Sequence, residues 1–140
     1  MSEQFKIITQ FVKDMSCETP DAETYLYVKE YLKNYNLDID ITTKPLKNRM
    51  IEVNTKLSYS DKGKSKNKSY FEITYASIVK VNEEIKDRKI IEKIILCDVQ
   101  KQIYPNMEKI FINLLSNSGF PGIKFEKKVD FEKLYSQRLN

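Results

Sequence analysis

The sequence predicts an α+β fold, a four-stranded antiparallel sheet followed by helices packed on one of its faces. Three observations predict it: apolar residues recur with period two up to about Val81, the period lengthens to a helical one after Asn82, and consecutive strands are joined by short links. A chain of 140 residues falls in the size range of one domain, so residues 1–140 are expected to share a single core.

Each element has its own warrant. From Phe5 to Glu18 the odd positions Phe5, Ile7, Phe11, Met15 and Cys17 are apolar and Lys6, Gln10, Asp14, Ser16 and Glu18 are polar, which predicts a first strand with one buried face. Ile8 and Val12 break that pattern and mark a second packing surface. Thr19–Glu23 reads as a loop, because Pro20 has no N–H to give to a ladder.

In the second strand Tyr35, Leu37, Ile39 and Ile41 alternate with Asn36, Asp38, Asp40 and Thr42; in the third Ile51, Val53, Leu57 and Tyr59 alternate with Glu52, Asn54, Lys56 and Ser58. Ser60–Lys68, with Asp61, Gly63 and four lysines, forms a polar hairpin connection into a fourth strand carrying Phe71, Ile73, Tyr75, Val79 and Val81. Beyond Asn82, Ile85, Ile90, Ile91, Ile94 and Ile95 lie at helical spacing. Met107, Ile110, Phe111, Leu114 and Leu115 extend the stripe past Pro105, which is expected to kink the helix or to begin a new one. Ser118–Gly122 stops it, and a closing helix starts at Asp130, a candidate N-cap, with Phe131, Leu134 and Tyr135.

Composition narrows the function. The chain has no histidine, which removes the commonest general base near neutral pH and the usual nitrogen ligand for metals. Neither an enzyme nor a cofactor protein is expected. Cys17 and Cys97 form no CxxC spacing and no disulfide framework, so both are expected to stay reduced. No apolar run is long enough to span a bilayer, and Met1–Lys6 leads straight into strand alternation without a signal-like segment, so a cytoplasmic protein is expected. The net charge of +4 comes from 24 basic and 20 acidic residues that are interspersed, as on an ordinary surface.

Candidate chemistry is sparse. Gly63-Lys64-Ser65 resembles the end of a phosphate-binding loop, but Ser58 stands where that motif needs glycine, and the trio joins two strands. The basic loop Lys62–Lys68 reads as solvated, with phosphate contact as the alternative; a small nucleic-acid-binding α+β domain would use it. Asp14 and Glu18, four apart on a strand, are about 13 Å from each other, too far to share catalytic work. From Phe120 to Tyr135 the chain holds more apolar groups than a connector needs. They either cap the core or cover an apolar surface that binds peptide.

Several strings resemble the export chaperone family SecB. Lys13-Asp14-Met15-Ser16-Cys17-Glu18-Thr19-Pro20-Asp21-Ala22 is similar to the family's first strand, which carries Lys-Asp-Ile/Leu-Ser-x-Glu-x-Pro-x-Ala; Leu37-Asp38-Ile39-Asp40 resembles its Leu-Asp-Leu-Asp strand. Gly119-Phe120-Pro121 and Val129-Asp130-Phe131-Glu132-Lys133-Leu134-Tyr135 look like its Gly-x-Phe-Pro loop and Val-Asn/Asp-Phe-x-x-Leu-Tyr/Phe helix, and Ile103-Tyr104-Pro105 falls on its Leu-Phe-Pro. The sequence departs from the family at Val99-Gln100 and Asn106-Met107-Glu108, and in its basic charge.

The resemblance implies a cytoplasmic homotetramer, a dimer of dimers, that holds unfolded precursor proteins and delivers them to the motor ATPase SecA. It puts the SecA contact on Asp14, Glu18, Tyr70 and Glu72. It puts client binding on one groove lined by Tyr35, Leu37, Ile39, Phe120, Ile123, Phe125, Leu134 and Tyr135. No metal, cofactor, nucleic acid or membrane insertion is implied. The alternative within the fold is a SecB-like chaperone of a toxin-antitoxin system.

Overall fold

The computed structural model describes residues 3–125 and 129–138. Strand β1 (Phe5–Glu18) is followed by helix α1 (Ala22–Tyr31) and a 3-10 turn (Leu32–Asn34), then by β2 (Asn36–Pro45), β3 (Met50–Ser60) and β4 (Tyr70–Val81). A helical run follows, made of α2 (Arg88–Lys93), a π turn (Ile94–Asp98) and α3 (Val99–Asn117), and α4 (Phe131–Arg138) comes last. The four strands form one antiparallel sheet in the order β1-β4-β3-β2.

Period two makes the two inner strands. Val53, Thr55, Leu57 and Tyr59 of β3 and Phe71, Ile73, Tyr75, Val79 and Val81 of β4 are buried on one face, beneath the helices. Ile103, Met107, Phe111 and Leu115, spaced by one turn along α3, meet them and are fully buried. The opposite face of the sheet carries the charges.

The first strand differs from its expected form. Register shifts between Ile7 and Thr9 and between Val12 and Asp14 each add one residue, and each flips which side chains face the helices. Phe11 therefore stands opposite Ala76 on the outer face, while Val12 stands opposite Tyr75 and Met15 opposite Ile73 on the helix side. Phe11 is not on the face of Phe5, Ile7, Met15 and Cys17, and Ile8, Phe11, Val12 and Met15 all remain exposed.

The link read as a loop at Thr19–Glu23 begins a helix. Asp21 is the N-cap of α1, its carboxylate accepting from the Thr24 N–H at 2.8 Å, and that bond holds the carboxyl below its ordinary pKa. Since β1 and β2 are the two edges of the sheet, this link must cross the sheet end, and α1 spans the crossing with Thr24 and Val28 turned inward.

At Pro105 one of the two expected outcomes is excluded. It sits within α3, which runs on to Asn117, so the proline begins no new helix. The irregularity lies upstream in the π turn, which is braced by the fully buried Gln100. Its amide oxygen accepts from the Thr55 hydroxyl at 2.9 Å, and its amide nitrogen donates to the Ile95 carbonyl at 3.3 Å. Gln100→Ala leaves both groups without this partner and is expected to cost about 1–3 kcal/mol. The shift in the urea midpoint at unchanged m-value measures it, and the Gln100→Leu/Thr55→Val double variant should recover part of the loss.

Candidate functional site

Two surfaces of the sheet gather the residues singled out in the sequence. On the outer face, cross-strand register sets Glu18 opposite Tyr70, Ser16 opposite Glu72 and Asp14 opposite Thr74, so all four expected partner-contact residues share one side of the β1–β4 pair. Tyr70 is 55% exposed, an aromatic ring standing in solvent among carboxylates. Glu72 accepts an ion pair from Lys56 at 2.7 Å, which keeps the lysine above its ordinary pKa. Both groups are well exposed, so water and salt screen the pair and it adds little to stability. Lys13 and Glu52 pair at 2.9 Å, and Lys62 and Asp38 at 3.0 Å. Among the described residues Asp14 and Glu18 make no ion pair.

On the helix side, at the end where β2 begins, lies a buried aromatic cluster, called the trough below, whose floor and covering Phe120 are only 2–8% exposed. Tyr35, Tyr59 and Phe71 form its floor, with ring centroids 5.5–6.2 Å apart. Burial raises the pKa of both tyrosines, so their hydroxyls stay protonated. The Tyr35 oxygen accepts from the Ser69 N–H at 3.0 Å. Leu37 and Ile39, opposite Tyr59 and Leu57, continue the floor along the free edge of the sheet and are half-buried. The loop after α3 covers it: Phe120 is 3% exposed and meets Phe71 edge-on at 5.3 Å, and Phe125 meets Tyr59 edge-on at 5.3 Å. Ile123 is half-buried against the same core.

Leu134 and Tyr135 lie outside this trough, contrary to the single groove expected. Helix α4 returns along the helical layer, where Phe131 meets Tyr104 edge-on at 5.4 Å, Glu132 pairs with Lys101 at 2.8 Å, and the Tyr135 hydroxyl donates to the Lys89 carbonyl at 3.4 Å. Tyr104 lies in the second turn of α3 and Phe120 follows its last, with roughly 20 Å of helical rise between them. Tyr135 instead lines a shallow pocket with Gln4, Ile90, Lys93 and Asp98. The lysine loop is partly engaged with its own chain: Lys62 pairs with Asp38, and Lys68 donates to the Gly63 carbonyl at 2.6 Å.

The family model for SecB, preprotein translocase subunit SecB, matches residues 1–140. The chain belongs to the SecB family. A relative from Pelagibacter ubique, named provisionally as protein-export protein SecB, is 58% identical over the full length of both chains. The protein-export protein SecB of Parvibaculum lavamentivorans is 29% identical over 96% of this chain and 79% of its own. Among solved structures, a SecB-like chaperone of Mycobacterium tuberculosis in complex with an antitoxin peptide matches with TM-score 0.66 at 11% identity, covering 90% of this chain and 88% of that one. That likeness shows the fold. A protein of unknown function from Streptococcus agalactiae matches with TM-score 0.51 at 8% identity, covering 91% of this chain and all of the other.

As a SecB, the protein is an export chaperone. Within that setting the structure adds residues that the sequence did not single out. Tyr59 and Phe71 complete the trough floor, and Tyr25 of α1 touches its covering loop, with the Tyr25 and Phe120 rings 5.1 Å apart. Alternation gives Tyr59 and Phe71 a core position and nothing more, while Tyr25 lay in a stretch to which no element was assigned. Asp38 and Asp40 join the outer face through Ser58 and Lys56, their partners on β3. The period of the second strand already turned them away from Leu37 and Ile39.

Proposed function

We propose that this SecB works as a non-enzymatic holdase, assembled as a cytoplasmic homotetramer, which binds extended segments of unfolded precursors at the trough and hands them to SecA through the outer acidic face. The observation that carries client binding is the half-buried apolar row Leu37, Ile39 and Ile41 on an edge strand, continuous through Tyr59 with the ring of Phe125. Apolar surface at a free sheet edge can hold an extended chain weakly and without sequence demands, and several troughs on one assembly raise retention through effective concentration. No bond is made or broken. The client is kept from aggregating while it stays unfolded.

SecA docking is supported by Asp14 and Glu18, without ion-pair partners among the described residues, beside Tyr70 and Glu72. Such a face selects a basic partner and speeds its arrival, and salt screens it over about 8 Å at physiological strength.

Replacing Leu37 and Ile39 with serine removes the open part of the row without emptying the buried core. The variant is expected to bind an unfolded, unrelated protein about tenfold more weakly, while circular dichroism and the native mass are unchanged. Light scattering of a heat-aggregating protein, with and without the chaperone, is the second readout. Undiminished suppression by the serine variant would overturn the assignment of this trough.

A further inference from the structure

Charge is not spread evenly over the outer face of the sheet. Along the outward residues of β4, from Tyr70 to Lys80, the face is acidic at one end, apolar in the middle and basic at the other. Asp14 stands opposite Thr74, Phe11 opposite Ala76 and Lys6 opposite Lys80. The two bulges of β1 make the middle: the first inserts Ile8 and the second Lys13. Lys13 reaches across β4 to Glu52 at 2.9 Å, and Glu52 also accepts from the Asn54 amide at 2.8 Å, so the charges there cancel. Between the bulges Phe11 is left 42% exposed, near Ile8 at 47%, while Ala76 opposite it is fully buried.

The basic end gains nothing for the fold. Like charges directly opposite in a ladder repel, and neither Lys6 nor Lys80 has an ion-pair partner among the described residues. An incoming carboxylate would meet both ammonium groups. Counted along β4 from the row of Asp14, the apolar step lies two residues on, about 7 Å, and the lysine pair six residues on, about 20 Å. These intervals are even. A single extended segment laid along the strand pair can therefore meet all three with side chains of one face: basic at position i, apolar at i+2 and acidic at i+6.

We infer that the outer face of the β1–β4 pair is one docking strip for an extended segment of SecA with that order of side chains, Phe11 being its apolar anchor and Lys6 and Lys80 its second ionic contact. The inference rests on the docking role proposed for Asp14, Glu18, Tyr70 and Glu72, and it narrows that role: the segment that docks is of mixed charge. A segment that is basic throughout gains at Asp14 and is repelled at Lys6 and Lys80. The strip thus fixes both the register of the segment and the direction in which it lies.

Phe11→Ser removes the anchor from an exposed position. Lys6→Glu/Lys80→Glu exchanges one like-charge pair for another and leaves the repulsion within the ladder as it was. In titration calorimetry with SecA, Phe11→Ser is expected to weaken binding about fivefold and the double reversal about three- to tenfold, the second loss shrinking as salt rises. The double reversal makes the protein more acidic, so a partner attracted by basic charge alone would bind it more tightly. Equal or tighter binding of SecA by that variant overturns the strip, and so does equal binding by Phe11→Ser. Circular dichroism and undiminished suppression of aggregation verify that each variant is folded, because the trough lies on the other face; the double reversal decides the matter if Phe11→Ser fails to fold. If Glu72→Lys weakens docking while neither of these variants does, the strip alone falls; if the unaltered protein does not bind SecA, the docking role falls with it.

Discussion

Phe71→Ala is expected to lower the unfolding free energy by about 3–5 kcal/mol, while Tyr70→Ala, one residue away, should change it by less than about 0.5 kcal/mol. The two rings sit on one strand and face opposite ways. Phe71 is 2% exposed and is surrounded by Tyr35, Tyr59 and Phe120, so truncation loses its transfer free energy and leaves a cavity that neighbouring rings cannot collapse to fill. Tyr70 is 55% exposed, and water already occupies most of its surroundings. Domains are stable by about 5–15 kcal/mol, so the Phe71 variant should be near unfolding at growth temperatures. Urea titrations at one fixed protein concentration compare the two variants, since assembly would make the midpoint depend on concentration. A small loss at Phe71 would mean that the core does not close around it.

On the docking role proposed for the outer face, Glu72→Lys should weaken binding to SecA by about 10- to 100-fold, with client holding intact. The substitution replaces the 2.7 Å pair with Lys56 by two like charges and inverts the field between Asp14 and Glu18. Because Lys56 and Glu72 are exposed, the cost in stability should be small, with the urea midpoint nearly unchanged. Titration calorimetry with SecA at low and physiological salt separates the electrostatic part, which should shrink as salt rises. Equal affinity in the variant would remove Glu72 from the docking face. Loss of both docking and holding would point to misfolding instead.

Legibility in the sequence followed the range of the interactions. The inner strands were plain because Leu57 and Tyr59, or Ile73 and Tyr75, bury one face at every second residue, and that rhythm is local. The helical stripe from Ile90 to Leu115 was plain for the same reason. The facing of Phe11 in the first strand is not legible because a bulge inserts a residue that leaves no mark in composition, and two of them reverse the parity twice. Helix α1 is hidden although its cap, Asp21, and the inward Thr24 and Val28 are all local, since Pro20 signals a break at the same place.

The sites divide in the same way. Asp14, Glu18 and Glu72 could be assigned to one outer face because strand parity and family motifs agree on them, and the cross-strand register sets them side by side. The trough was only half legible. Leu37 and Ile39 belong to an alternating strand, but which loop covers the Tyr59 and Phe71 rings beside them depends on where α3 ends and where the chain goes next. Apolar content alone placed Leu134 and Tyr135 beside Phe120, whereas α4 packs by Tyr104 and Lys89 at the far end of the helix.

By itself the sequence determined the type and order of the main strands and helices, the family, and the direction in which the β-strand carboxylates point. Each of these depends on residues a few positions apart, or on a pattern retained along the whole chain. Only the tertiary structure decided that β1 and β2 are opposite edges, that Phe120 fills the space above Phe71, and that Tyr25 reaches Gly119, 94 positions away. Contacts of that span arise from how whole layers pack, and no local rhythm of residues encodes their partners.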